Sequence, residues 1–265
     1  MWGKKYLVMA QVAAKNSATT WLVVVVGNVQ TVLLFFALYA VYKTAFAQGT
    51  PQSIGMTLAD VLWSMSIYSL FWAVGARAMA NQISDLVTRG SVEVHLVRPA
   101  SFLFSQMAAR FGRNWWLTWV QIILVVTLML LLVGAPSVTL SLAIVWRFAI
   151  LFILGMGLGY GIYTFIGILS FWLQDVKPVL WIMDKMVMIF AGAYLPVALM
   201  PDGMRLFAQW SPFGAILPAT QVFHEAFMQR FAQLLLSQIF WIVLCYGGMY
   251  IVWHRATKKL SLNGG

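Results

Sequence analysis

The chain has 265 residues, of which 62% are hydrophobic and 9% charged, with a formal net charge of +10. An ordinary soluble domain carries about 45–50% apolar and about 25% charged residues. A water-soluble fold of this composition would therefore leave much apolar surface in contact with water and would aggregate, so the fitting medium is lipid. The positive residues lie in short groups between apolar runs and not along one polar face, a placement that suits membrane topology and argues against a nucleic-acid partner.

Six stretches contain no Asp, Glu, Lys or Arg: 16–42, 61–76, 114–146, 148–174, 186–201 and 231–254. Crossing roughly 30 Å of hydrocarbon takes about 20 mostly apolar residues at about 1.5 Å each. Four stretches reach that length, and the two 16-residue ones do so once a charged residue is allowed at the interface. The expected fold is all-α, a single transmembrane domain over 1–265 with spans at about 20–42, 57–78, 115–134, 140–172, 178–200 and 234–254. The first span follows Lys4, Lys5 and Lys15 and precedes Ala45-Phe46-Ala47, as a cleaved leader would. Its apolar run exceeds a signal-peptide core of about 7–15 residues, so it reads as a retained span.

Six spans put both termini on one side. On that basis 13 of the 17 Lys and Arg residues share that side, and Lys43, Arg147, Arg205 and Arg230 fall on the other. Cytoplasmic loops carry the Lys/Arg excess, so both termini are expected in the cytosol. Trp115, Trp116 and Trp119 cluster at the start of the third span, with Trp21, Trp210 and Trp253 near other boundaries. Amphipathic indole rings collect at membrane interfaces, so these residues signal anchoring and not substrate.

The long loop 77–114 contains Ile83, Leu86 and Val87 at i, i+3 and i+4, with Asp85 and Arg89 elsewhere around the helix. That pattern predicts one short amphipathic helix, closed by Gly90 as the residue after its cap. Pro99 biases Arg98 away from helix, and Ser101 is a reasonable N-cap for a further helix over 102–112. The segment is either a solvated connector on the membrane surface or a docking surface for a cytoplasmic partner.

Gly134-Ala135-Pro136-Ser137 is a turn between the third and fourth spans. Gly155, Gly157, Gly159 and Gly161 alternate in the fourth and form two small-xxx-small pairs, which permit close helix approach in lipid. Packing inside the subunit is the plainer reading and a dimer contact the other; no strand precedes the glycines, so they are no dinucleotide fingerprint. Of the charges at membrane depth, which are often functional, Asp60 and Arg147 fall near the outer ends of their spans and can reach water, while for Asp184 and Lys185 an interfacial place is the plainer of two readings. The outer segment 201–233 is cut by Pro201, Pro212 and Pro218 yet keeps Leu206, Phe207, Trp210, Phe213, Ile216 and Leu217. It reads as short helices dipping into, or lying on, the outer half of the bilayer, shielded by protein or facing a cavity.

No P-loop, HExxH or GxSxG pattern occurs: His224-Glu225 lacks a second histidine at the right spacing, and His95, His224 and His254 are isolated. The sequence thus offers no catalytic, cofactor or metal set. The lone Cys245, inside an apolar run, allows no internal disulfide and reads as a small hydrophobe.

Three stretches together resemble the type-2 ABC permeases, in particular a group of six-span subunits long catalogued as a domain of unknown function. They are Ile83 through Gly90-Ser91-Val92-Glu93 to Leu96-Val97-Arg98-Pro99; Gly192-Ala193-Tyr194-Leu195-Pro196 with Pro201, Trp210-Ser211-Pro212-Phe213 and Pro218; and the tail Ala256 to Leu260, ending Asn263-Gly264-Gly265. The resemblance implies a subunit of the cytoplasmic membrane of a bacterium or archaeon that pairs with an identical or homologous permease. It implies a separate ATPase, which binds ATP and Mg and docks on the loop 77–114. Ile83, Asp85, Leu86, Arg89, Gly90, Glu93 and Arg98 would form the coupling set. The family's usual acidic residue after Gly90 is displaced here to Glu93. The implied activity is export driven by ATPase closure, which tilts the permeases and opens the path outward. The alternatives are an ion-coupled secondary carrier and a non-transporting scaffold or enzyme; a missing series of buried carboxylates and the lack of an obvious inverted repeat weigh against the carrier.

Overall fold

The computed structural model describes residues 2–17, 21–49, 56–92, 101–173 and 175–263, and all regular structure among them is helical. The helices are α1 (Trp2–Ser17), α2 (Trp21–Ala47), α3 (Leu58–Ala73), α4 (Ala78–Thr88), α5 (Phe102–Leu132), α6 (Leu142–Ile168), α7 (Lys177–Phe190), α8 (Asp202–Trp210), α9 (Pro212–Ile216) and α10 (Phe227–Asn263). Short 3-10 turns lie at Leu169–Phe171, Val197–Leu199 and Pro218–Phe223. Among the described residues five helical segments are long and apolar enough to cross a membrane: Asn28–Ala47, Leu58–Thr88, Phe102–Leu132, Leu142–Phe171 and Phe227–Lys258. Leu33, Leu131 and Val243, 65%, 80% and 67% exposed, are large apolar side chains that water covers unfavourably.

α3 begins with a capping box, in which the Thr57 hydroxyl accepts from the Asp60 N–H and the Asp60 carboxylate accepts from the Thr57 N–H. The same carboxylate accepts from the N–H and hydroxyl of Ser137, at 2.8 and 2.5 Å, in the turn between α5 and α6. Asp60 is 1% exposed, so the expectation that it reaches water is corrected: protein donors replace the solvent. The Trp63 indole N–H donates to the Gly134 carbonyl in the same turn. Asp60 and Trp63 thus fix the α5–α6 turn to the start of α3.

α5 runs unbroken from Phe102 to Leu132, joining the expected 102–112 helix to the third span. α1 was not visible as an element in the sequence. It packs on the first half of α5, where the Ala10 carbonyl oxygen stands 2.0 Å from the place a Cβ on Gly112 would take. α6 and α10 run side by side in the same direction, since Gln238 donates to the Leu151 carbonyl and Tyr246 to the Gly157 carbonyl. α6 lies in the larger apolar core, with Leu151, Leu158, Tyr163 and Ile168 buried, while Phe35, Leu62, Met65, Val125 and Met129 form a second core between α2, α3 and α5.

The expected span 178–200 is not one helix. α7 has 14 residues, about 21 Å of rise. It ends before Gly192, whose φ of +83° is open to glycine at little cost. The following segment, with α8, α9 and the Pro218–Phe223 turn, is sunk into the bundle. The Ile216 carbonyl oxygen stands 2.1 Å from where a Cβ on Gly155 would be. Gly155 is 13 residues past the start of α6 at Leu142, a depth of about 20 Å. The buried Gln238 amide donates to the carbonyls of both Leu151 and Ala215, satisfying backbone that lies deep in the bundle. The proline-cut pieces of 201–233, expected to dip into the bilayer or lie on it, are packed into the bundle and held by α6 and α10.

Two faces of the bundle result. One carries the end of α2, the start of α3, the α5–α6 turn and the start of α10. The other carries α1, α4, the starts of α5 and α7, and the far end of α10, where Trp253 stacks on Phe102 at 5.2 Å. Both ends of the described chain lie at this second face.

Candidate functional site

α4 is the amphipathic helix the sequence predicts, and the fold settles which side looks inward. Ile83 is fully buried against α6: its Cβ stands 2.9 Å from where a Cβ on Gly167 would sit. Asp85, Arg89 and Gly90 are exposed and Leu86 is half-buried. Gly90 has φ +66°, and the Ser91 N–H donates back to the Leu86 carbonyl, closing the helix. Of the residues read as a coupling set, Asp85, Leu86, Arg89 and Gly90 share one accessible edge, whereas Ile83 faces the core. Glu93 and Arg98 lie outside the described residues.

Between α4 and the start of α5 runs an open groove of about 630 Å³, lined among others by Gln82, Asp85, Arg89, Gln106, Arg110 and Arg113. The Arg113 guanidinium donates to the Gln82 side-chain oxygen at 2.6 Å, and the Gln82 amide donates to Gln106. The sequence placed Arg110 and Arg113 only as positive charges of the loop. Their convergence with Arg89 needs the antiparallel pairing of two helices that no local pattern reveals.

Beneath the groove, α3 and α4 meet at a joint, residues 74–77. Gly75 has φ +76°, and the Asn114 amide nitrogen would be 2.2 Å from a Cβ there, so the position requires glycine. Asn114 of α5 donates to the Ala73 carbonyl at 2.9 Å, and Tyr160 of α6 donates to the Val74 carbonyl at 2.7 Å. These partners satisfy carbonyls at the break between two helices, which buried backbone demands. Arg77 donates through Nε to Asp184 of α7 at 2.5 Å, and the Tyr163 hydroxyl donates to the other oxygen of Asp184 at 2.9 Å. Asp184 is 7% exposed, so it is a buried, partnered carboxylate and not an interfacial one; Lys185, beside it, is exposed. α5, α6 and α7 thus all hold the joint that leads into α4.

The glycines of α6 face different neighbours. Gly155 meets the Ile216 backbone, Gly159 the Phe71 ring, and Gly161 the Tyr246 ring and the Cys245 sulfur. Nothing lies within 4 Å of a Cβ on Gly157.

A chain whose described residues are helical, with five apolar segments of spanning length, is a multi-pass integral membrane protein. The family of ABC-2 family transporter proteins matches residues 28–264, all but the first 27 residues and the last. The chain belongs to that family and is a type-2 ABC transporter permease. No curated protein matches it.

Proposed function

We propose that the chain is the permease subunit of an ATP-driven exporter in the cytoplasmic membrane of a bacterium or archaeon, with the face that carries both ends of the chain in the cytosol. In this reading the chain crosses the bilayer six times, and α7 with the segment to Met200 makes the fifth crossing. Two permeases, identical or homologous, enclose the path. A separate ATPase, which binds ATP and Mg²⁺, docks on the accessible edge of α4 at Asp85, Leu86, Arg89 and the Gly90 turn, continuing through Glu93 and Arg98.

The observation that carries the reading is the two-sidedness of α4. One edge presents opposite charges, Asp85 and Arg89, to solvent. The other is buried in the core through Ile83, with Arg77 tied to α7 just ahead of it. A push on such an edge moves packed helices and not a loop. ATPase closure would reach α6 and α7 through the α3–α4 joint.

The test is purification with candidate ATPases encoded beside the chain. Wild-type protein is expected to retain its ATPase through size exclusion. The pair Asp85→Arg with Arg89→Glu is expected to lose it while inserting normally. Retention of the ATPase by the reversed pair removes the docking assignment.

A further inference from the structure

The groove between α4 and α5 holds more positive charge than the described residues balance. Arg89, Arg110 and Arg113 converge on it, and Asp85, the one carboxylate among the lining residues, makes no ion pair with any of them among the described residues. The Nε–H groups of Arg110 and Arg113 are buried, and neither has an acceptor among the described residues. Buried guanidinium donors are costly to leave unmet, and the groups that meet them best are planar or tetrahedral oxyanions. The Arg113–Gln82–Gln106 row fixes the guanidinium in place, so the cost of ordering it is met before any ligand arrives.

The depth of the groove selects the oxyanion. Arg113 stands two residues before Trp115, and Trp115, Trp116 and Trp119 are 42%, 54% and 46% exposed on the same helix. Indole belts mark the headgroup plane. α1 lies alongside with exposed Leu7, Val8 and Val12 and with Lys4 and Lys15 also exposed, the composition of a helix seated in the interface of an anionic leaflet. An oxyanion common at that depth is the phosphate of a lipid, and basic pockets between spanning helices take anionic headgroups. The volume, about 630 Å³, accommodates one headgroup.

We infer that this groove binds the phosphate-bearing headgroup of an anionic phospholipid, with Arg110 and Arg113 as its principal ligands and Arg89 at its mouth. The groove shares Arg89 with the proposed ATPase-docking edge, so the isolated full-length permease, free of any ATPase, tests it. The protein is placed in nanodiscs of equal parts phosphatidylglycerol and phosphatidylcholine, released in the gas phase, and its retained lipids are weighed by native mass spectrometry. Phosphatidylglycerol is expected to be retained about tenfold or more over phosphatidylcholine. Arg110→Gln with Arg113→Gln is expected to abolish the preference, and Arg89→Gln, at an exposed helix end, to reduce it. Arg147→Gln, on the opposite face, is expected to leave it unchanged. Equal retention of the two lipids by wild-type protein overturns the proposal, as does a preference untouched by both Arg89→Gln and the double substitution. Displacement of the lipid by millimolar inorganic phosphate would assign the site to a free anion, and displacement by a soluble acidic peptide to a protein partner; either result also overturns it.

Discussion

Asp184 receives Arg77 on one oxygen and Tyr163 on the other, which leaves a buried carboxylate with both oxygens matched. Removing one partner of a fully buried ion pair costs about 3–5 kcal/mol. The Arg77 side chain is 40% exposed, so water recovers part of the loss, and Arg77→Ala is expected to cost about 1–3 kcal/mol. Tyr163→Phe, which leaves one oxygen of a buried carboxylate unmatched, is expected to cost about 1.5–3 kcal/mol. Thermal unfolding in detergent reads both, and a double-mutant cycle with Asp184→Asn should show coupling between the pair. Additivity would mean that the contact carries no energy. The sequence marked Asp184 as a charge at membrane depth but did not find Arg77, which is 107 residues away along the chain. Asp60 illustrates the same limit. Its capping box with Thr57 is local and readable, but Ser137 reaches it across the bundle.

At the scale of the helix, the glycine string of α6 separates into positions that need glycine and one that does not. A Cβ on Gly155 would meet the Ile216 backbone oxygen at 2.1 Å, and backbone cannot swing aside as a side chain can. Gly155→Ala is therefore expected to lower stability by about 1–3 kcal/mol, as overpacking does. Gly157→Ala meets nothing within 4 Å and is expected to be neutral or to gain up to about 1 kcal/mol from helix propensity. The thermal midpoints of the two variants should move apart; equal shifts would contradict the packing described. Gly112→Leu is expected to detach α1 from α5, since the Ala10 carbonyl occupies the space. Enhanced protease cleavage near Ala10 would report it, and unchanged cleavage would show that α1 stays docked. The sequence made the spacing of these glycines legible, but not which neighbour each one faces. α1 escaped the sequence reading because Lys4, Lys5 and Lys15 interrupt its apolar residues and hide it from a search for charge-free runs. The fifth span was overdrawn for a related reason. Apolar composition continues from Met186 to Met200, but Gly192 and Pro196 end the helix within it.

For the whole molecule, apolar composition, charge-free runs and the clustering of Lys and Arg were enough to place the chain in a bilayer and to set its helices in order. They were enough because hydrocarbon imposes a length and a polarity on every crossing element. The groove, the joint at 74–77 and the seating of α9 against Gly155 depend on contacts between distant segments, which periodicity does not encode. The two faces of the bundle carry Lys and Arg unequally, and the proposed orientation rests on that asymmetry. Among the described residues, Lys4, Lys5, Lys15, Arg89, Arg110, Arg113, Lys177, Arg255 and Lys258 belong to the face with both ends, and Lys43, Arg147, Arg205 and Arg230 to the other. The proposed docking of an ATPase on α4 requires this sidedness, because only a cytosolic α4 can meet one.

Cysteine labelling tests this most directly. In a Cys245→Ser background, single cysteines at Thr88, beside the Gly90 turn, and at Asp202, at the start of α8, both take exposed positions. A membrane-impermeant maleimide applied to intact cells is predicted to modify the cysteine at 202 and to reach the one at 88 only after the membrane is permeabilised. Modification of both from the outside, or of neither until permeabilisation, would place α4 and α8 on one side of the membrane and contradict the account.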